Sequence, residues 1–249
     1  MKPKIALVTG SSKGIGKAIA IKLAKEGYVV YVTFKSDKRG GIQTQKEINK
    51  IGGKSELLEL DVCSESSVRN AYTKIKKDYG YLNILVNNAG IEKAKDIENV
   101  TFSEWKAVVE TATNGIFLCT KYTIPLLKHQ ENPNIIIISS ALGERPDPGF
   151  PAYCVGKAAA NAFTKAMALG LGKYGIRTNA ILPGSTKTPL WDTLGGDNQE
   201  MWNNFAKNNP MGRNPTPDDI ANAVVMIIND KSRYLNGNFI YVNGGSHLK

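Results

Sequence analysis

Lys4-Ile5-Ala6-Leu7-Val8 runs directly into Thr9-Gly10-Ser11-Ser12-Lys13-Gly14-Ile15-Gly16. The first segment is a short run of β-branched and aliphatic residues, the signature of a buried strand. The second packs three glycines into seven positions, and a helical pattern begins at Ile15. Gly10 suits a tight turn, Gly14 lets backbone approach a ligand, and Gly16 allows close packing of helix on strand. A helix start offers free N–H groups and the positive end of its dipole to a phosphate. A strand, a glycine loop and a helix in that order therefore predict a nucleotide-phosphate site. The spacing is G-x-x-x-G-x-G, and no Lys-Ser/Thr pair follows it to hold Mg²⁺, which disfavours an NTPase.

The same alternation continues outward. Further strands are expected over 28–34, 55–60, 82–86, 135–138, 177–182 and 239–242. Helices are expected over 15–25, 44–51, 64–77, 103–109, 115–128, 152–173 and 217–228. Ile135-Ile136-Ile137-Ile138 has no polar alternation, as in a strand buried on both faces. Gly27 is placed to stop the first helix in the left-handed region. Strand and helix in alternation imply right-handed βαβ crossovers and an α/β fold. The expectation is one doubly wound, Rossmann-type parallel sheet of about seven strands with helices on both faces, over 1–249. Ligands of such sheets bind beyond the carboxyl ends of the strands, where strand order reverses.

Composition narrows the chemistry. The chain has 249 residues, 42% hydrophobic and 22% charged, which is an ordinary globular profile. No apolar run reaches the ~18 residues of a membrane span. A strand begins at once, leaving no room for a signal peptide, so a cytoplasmic protein is expected. The two histidines (His129, His247) and three cysteines (Cys63, Cys119, Cys154) form no closely spaced ligand pair, so no metal site is expected. The cysteines are expected to be reduced. The net charge is +10, but only six of the 32 basic residues are arginines and the lysines are dispersed. That is the pattern of a solvated surface, not of a nucleic-acid reader.

Beyond the glycine loop come Asp61-Val62, Asn87-Asn88-Ala89-Gly90, Ser140, Tyr153-Cys154-Val155-Gly156-Lys157, Asn179 with Pro183-Gly184, and Asn243-Gly244-Gly245. With these motifs in this order the whole chain resembles the short-chain dehydrogenase/reductase family, and within it the 3-oxoacyl-acyl-carrier-protein reductases. The resemblance implies an NADP(H)-dependent oxidoreductase moving hydride between nicotinamide and a carbonyl or secondary alcohol, as a ketoreductase does. A 3-oxoacyl thioester is one candidate substrate. It implies Ser140, Tyr153 and Lys157 as catalytic residues. Tyr153 and Lys157 share one helix face, and a nearby ammonium together with the cationic nicotinamide ring of the oxidised cofactor is expected to lower the tyrosine pKa. The implied cofactor residues are Gly10, Ser11, Ser12, Lys13, Gly14, Ile15, Gly16, Lys35, Asp61, Val62, Asn88, Ala89, Gly90, Tyr153, Lys157, Pro183, Gly184, Thr186 and Thr188. Phe34 stands where NAD-preferring relatives carry an aspartate. Lys13 and Lys35 then face a 2′-phosphate, with Asp37 turned to solvent.

Three departures stand out. Ala112, seven residues after Trp105, replaces a family asparagine that holds a water for the lysine; Asn114 is expected to face elsewhere. Glu131 and Tyr174 stand where carrier-protein reductases carry basic residues, with Lys128 and Lys173 adjacent. Gly170 replaces a glutamate found at a subunit contact. The region 187–209, with Leu190, Trp191, Leu194, Met201, Trp202 and Phe205, is expected to form a lid over a partly apolar substrate, or to pack onto the body. A small-residue face on the long helix (Ala158, Ala159, Ala160, Ala162) predicts a homo-oligomer, most simply a tetramer. The alternative function is a nucleotide-binding regulator of the same fold with impaired turnover. Partners beyond the substrate and further copies of the chain (nucleic acid, membrane) are not expected.

Overall fold

The computed structural model describes residues 2–191 and 198–248. Seven strands form one parallel sheet: β1 (Lys4–Val8), β2 (Tyr28–Phe34), β3 (Lys54–Glu59), β4 (Ile84–Asn87), β5 (Asn134–Ile138), β6 (Arg177–Pro183) and β7 (Phe239–Val242), in the order β3-β2-β1-β4-β5-β6-β7. The helices are α1 (Gly14–Lys25), α2 (Lys38–Lys50), α3 (Glu65–Asp78), α4 (Phe102–Ala112), α5 (Asn114–Leu127), α6 (Pro151–Leu171), α7 (Gln199–Asn208) and α8 (Pro217–Ile228).

The isoleucine run of β5 explains itself in this sheet. Ile135 and Ile137 enter one core with Leu7, Tyr31, Leu85, Tyr72 of α3 and Leu118 of α5. Ile136 and Ile138 enter the other with Val8, Val30, Leu23 of α1 and Val224 of α8. Both faces are covered, so every residue of the strand is apolar or hydrogen-bonded.

The chain leaves β1 toward β2 and β3, then returns to pair β4 on the other side of β1. Strand order reverses there. The loops at the carboxyl ends of β1 and β4 are held together by Thr9, whose hydroxyl accepts from the N–H groups of Asn88 (2.8 Å) and Ala89 (2.9 Å).

Most boundaries shift from the sequence expectation by one to three residues, and three differences are instructive. α2 begins at Lys38, six residues early, because Asp37 caps it by accepting from Gly40 N–H at 2.9 Å. Gly40 and Gly41 are tolerated there because a Cβ on Gly41 would meet Leu57 at 2.8 Å; close packing outweighs helix propensity. The α-helical part of α6 stops at Leu171, and Gly172–Tyr174 tightens into a 3₁₀ turn. α7 lies inside the region read as a lid, capped by Asn198, which accepts from Met201 N–H. Residue Leu194 of that expectation lies outside the described residues. Among the described residues no helix is long and apolar enough to cross a membrane.

Candidate active site

A cavity of about 990 Å³ opens at the carboxyl ends of the strands. Its floor is the glycine loop. Gly10 (φ +63°) and Gly14 (φ +59°) both occupy the left-handed region, and a Cβ on Gly16 would sit 2.4 Å from Gly10 O. All three glycines are thus required by geometry. The first turn of α1 has no side-chain cap, so its N–H groups are available to a pyrophosphate. A dinucleotide fits this cradle on those grounds. Asn88 spends its amide on Thr9 O (2.9 Å) and Gly10 O (3.1 Å), so it shapes the loop by fixing it to β4.

Of the residues expected to hold the cofactor, all but one line the cavity: Gly10, Ser12, Lys13, Gly14, Ile15, Gly16, Lys35, Asp61, Val62, Asn88, Ala89, Gly90, Tyr153, Lys157, Pro183, Gly184, Thr186 and Thr188. Ser11 does not. It is fully buried, and its hydroxyl donates to Val8 O and accepts from Thr33 N–H, both at 2.8 Å. It ties β1 to β2, a structural role. Thr188 crosses over Gly14, with its Cβ 3.4 Å from where a Gly14 Cβ would be. The loop after β6 therefore closes the cavity from above.

The charges at the ends of β2 and β3 differ from expectation. Lys35 was expected to meet no acid except Asp37. Asp37 caps α2 instead, and Lys35 Nζ lies 2.8 Å from a carboxylate oxygen of Asp61. The sheet places the ends of β2 and β3 side by side, which brings the two together.

At the other end the three candidate catalytic residues converge. Ser140 ends the β5 segment and caps a 3₁₀ turn, accepting from Leu142 N–H at 3.2 Å. That turn packs onto α6 so closely that a Cβ on Gly143 would lie 2.8 Å from the Lys157 backbone. Lys157 is 6% exposed and donates to Ile138 O at 2.8 Å. Its Nζ stands 5.3 Å from the Tyr153 ring centre. Burial lowers the Lys157 pKa to about 8, and Glu92 acts in the opposite sense. Burial also pushes the Tyr153 phenol well above its ordinary value, helped by the charge of Glu92, while a hydrogen bond from Ser140 works against this. In the protein by itself the shift is upward, because desolvation and a carboxylate outweigh the hydrogen bond from Ser140.

Sequence reasoning missed several cavity residues. Glu92 follows the Asn-Asn-Ala-Gly turn, Arg145 and Leu142 follow Ser140, and His247 reaches in from the C-terminal segment. His247 stacks on Tyr241 with ring centres 3.9 Å apart. Leu190 and Trp191 line the cavity, whereas Trp202 is buried between Trp191 and Phe205 at 5.2 and 5.7 Å. Trp191, Trp202 and Phe205 thus pack mainly on each other. Ala112 is buried against α6, its methyl 2.7 Å from a Cβ built on Gly156, and Asn114 opens α5 and is exposed. The cysteines are free; Cys119 and Cys154 are buried. Among the described residues no His, Cys, Asp or Glu cluster can hold a metal ion.

A glycine cradle at the switch point of a doubly wound sheet, with Ser, Tyr and Lys gathered at the far end of one cavity, defines an oxidoreductase of the short-chain type. A family model described as enoyl-(acyl carrier protein) reductase matches residues 10–247. The chain is 34% identical over 245 residues to the 3-oxoacyl-[acyl-carrier-protein] reductase FabG of Staphylococcus aureus, covering 98% of each. It is 33% identical to the 3beta-hydroxysteroid dehydrogenase 1 of Eggerthella lenta, covering 100% of this chain and 95% of that one. Among solved structures, a short chain dehydrogenase from Burkholderia cenocepacia in complex with NADP superimposes with a TM-score of 0.90 at 30% identity, covering 98% of both chains. The chain belongs to the short-chain dehydrogenase/reductase family.

Proposed function

We propose that this protein is an NADP(H)-dependent ketoreductase in which Ser140, Tyr153 and Lys157 are the catalytic residues. The observation that carries the reading is their convergence in the cavity that the glycine loop floors. The bound dinucleotide supplies the hydride. Tyr153 gives its phenolic proton to the carbonyl oxygen, and Ser140 donates a hydrogen bond that orients that oxygen. Lys157 returns a proton to Tyr153 and binds the cofactor ribose. Lys13 and Lys35 support the preference for a 2′-phosphate.

A 3-oxoacyl thioester is the substrate to test first, on the likeness to FabG. At the position of one expected basic residue, Tyr174 lies beside Lys128 and Lys173, whose Nζ atoms stand 3.9 and 5.2 Å from its ring centre. Those lysines supply the positive charge that a carrier's phosphate would meet. Glu131, at the other position, pairs with Arg233 at 3.1 Å. Leu190 and Trp191 in the cavity wall suit an apolar flank on the ketone.

The protein works in the cytoplasm as a homotetramer in this reading. Self-association is supported by one stripe of α6: Val155 and Leu169 are exposed apolar side chains, and Ala158 and Ala162 between them are exposed too. Ala160, expected on that face, is buried within the subunit. Light scattering that gives a single 27.1 kDa particle at micromolar concentration defeats this part.

The test of function is loss of reduced-nicotinamide absorbance with purified protein, NADPH and a ketone panel including 3-oxoacyl thioesters. Turnover is expected. Tight NADPH binding without turnover on any ketone would favour the regulator.

A further inference from the structure

A carboxylate that the mechanism above does not use stands at the reacting end of the cavity. Glu92 is 5% exposed and lines the cavity together with Ser140, Tyr153 and Lys157. The backbone that leads to it skirts the lysine: a Cβ on Gly90 would lie 3.9 Å from Lys157 Nζ. Lys157 is buried at the edge of the cavity, where its amine donates a hydrogen bond to Ile138 O. On the α4 side the catalytic helix meets the methyl of Ala112, hydrocarbon against hydrocarbon. On the cavity side Glu92 and Lys157 line the same wall with Ser140 and Tyr153.

The fields are reciprocal. Burial raises the Glu92 pKa to about 7 against the pull of Lys157. The Glu92 charge in turn favours the ammonium form of Lys157 and the neutral form of Tyr153. Cys154 on α6 also feels it, and Lys93, Glu110, Arg145 and His247 line the same cavity. A carboxyl that titrates near 7 beside an amine that titrates near 8 is matched for proton exchange at neutral pH.

We propose that Glu92 is a positioning and proton-supplying residue of this site, carrying protons between solvent at the cavity mouth and the amine of Lys157. The proposal rests on the ketoreductase reading above. In the reduction direction the O–H bond of Tyr153 breaks as the product hydroxyl forms. Lys157 gives a proton to the phenolate. The carboxylic acid of Glu92 gives its proton to the Lys157 amine, and the resulting carboxylate takes one from water. Nothing is oxidised or reduced in the relay, and the net proton consumed is the one in the alcohol. No ion pair within 4.0 Å joins Glu92 to Lys157 among the described residues, so the transfer passes through one water or a turn of the Glu92 side chain. While ionised, Glu92 also keeps Tyr153 protonated, which is the form ketone reduction requires.

The test compares the full-length parent with Glu92→Gln, Glu92→Asp and Glu92→Ala. Glu92→Gln is expected to lower kcat for ketone reduction about tenfold with KM within twofold, and to erase the ionisation near neutral pH from the kcat profile. Glu92→Asp should keep much of the rate, and formate should restore Glu92→Ala in a concentration-dependent way. A Glu92→Gln protein with parental kcat and pH profile overturns the proposal, as does a loss confined to KM. If Glu92→Ala does not fold, the Gln and Asp variants decide alone. A second readout needs no turnover: carboxyl-¹³C titration of Glu92 in the cofactor-free protein, with and without Lys157→Met. The Glu92 midpoint should lie near neutral pH and rise when the lysine is removed. An unmoved midpoint refutes the coupling even if the protein reduces no ketone tested, so failure of the relay and failure of the ketoreductase reading are told apart.

Discussion

Removing the two lysines at the adenosine end should take away the advantage of NADPH while sparing NADH, and the two lysines should not contribute equally. Lys13 is exposed at the N-terminus of α1, where the helix dipole already favours an anion. Its charge-assisted contact to a partly exposed phosphate is worth about 1–2 kcal/mol. Lys35 must first leave Asp61. That pair is 2.8 Å apart with the lysine side chain 67% exposed, and an ion pair so exposed is worth roughly 0–1 kcal/mol. The net gain from Lys35 is then about 1 kcal/mol. Together they give about 2–3 kcal/mol, or roughly 30- to 150-fold in kcat/KM. The assay is initial rates with each cofactor for the parent, Lys13→Ala, Lys35→Ala and the double variant, at low and high salt. NADPH selectivity should fall about fivefold for Lys35→Ala, more for Lys13→Ala and most for both, and should shrink with salt in the parent. Equal use of both cofactors by the parent at low salt would refute the reasoning. So would equal losses for NADH and NADPH in the double variant.

Tyr153→Phe should cut turnover by at least about 10²-fold, the ordinary worth of a general acid, with NADPH affinity by fluorescence titration within a few fold; retained kcat removes the assigned role. Gly156→Ala places a methyl 2.7 Å from that of Ala112, so it should destabilise by about 1–3 kcal/mol through overpacking, and adding Ala112→Gly should recover most of the lost melting temperature. Equal melting of Gly156→Ala and parent counts against the packing. Glu92 has a folded pKa raised to about 7 by burial, so the folded state binds the extra proton: its contribution is full below the ordinary carboxylate value and is lost as pH rises through 7. Chemical denaturation from pH 5 to 8 should therefore show a decline in the parent, at most ~3 kcal/mol, that Glu92→Gln lacks; parallel curves would show that Glu92 is solvated.

The sheet was legible because burial on both faces leaves a mark that needs no tertiary information. Ile135 to Ile138 can be continuous only where helices cover both sides. Gly10, Gly14 and Gly16 were legible for a similar reason: a backbone with positive φ, or one too close for a Cβ, forces the residue type. Ser11 in the same loop was misread because a serine beside a phosphate loop and a serine tying two strands are spelled alike. Only the position of Thr33 across the sheet separates them. The start of α2 was obscured by Gly40 and Gly41, which oppose a helix locally and are there to clear Asp37 and Leu57 respectively.

The electrostatics of the site were the least legible part, because charges act across chain segments. Lys35 and Asp61 are 26 positions apart and meet through the register of β2 and β3. Glu92 is the sharper case. Two residues past a turn, a glutamate ordinarily points into water and keeps an ordinary pKa. Here the loop after β4 folds under the cavity and removes that water. Desolvation then does three things at once. It raises Glu92, it lowers Lys157, and it holds the proton on Tyr153. Read from its motif alone, Tyr153 is a phenol softened by a lysine. Within the fold it is a phenol kept neutral by burial and by a third charge, and any fall in its pKa must come from what binds in the cavity.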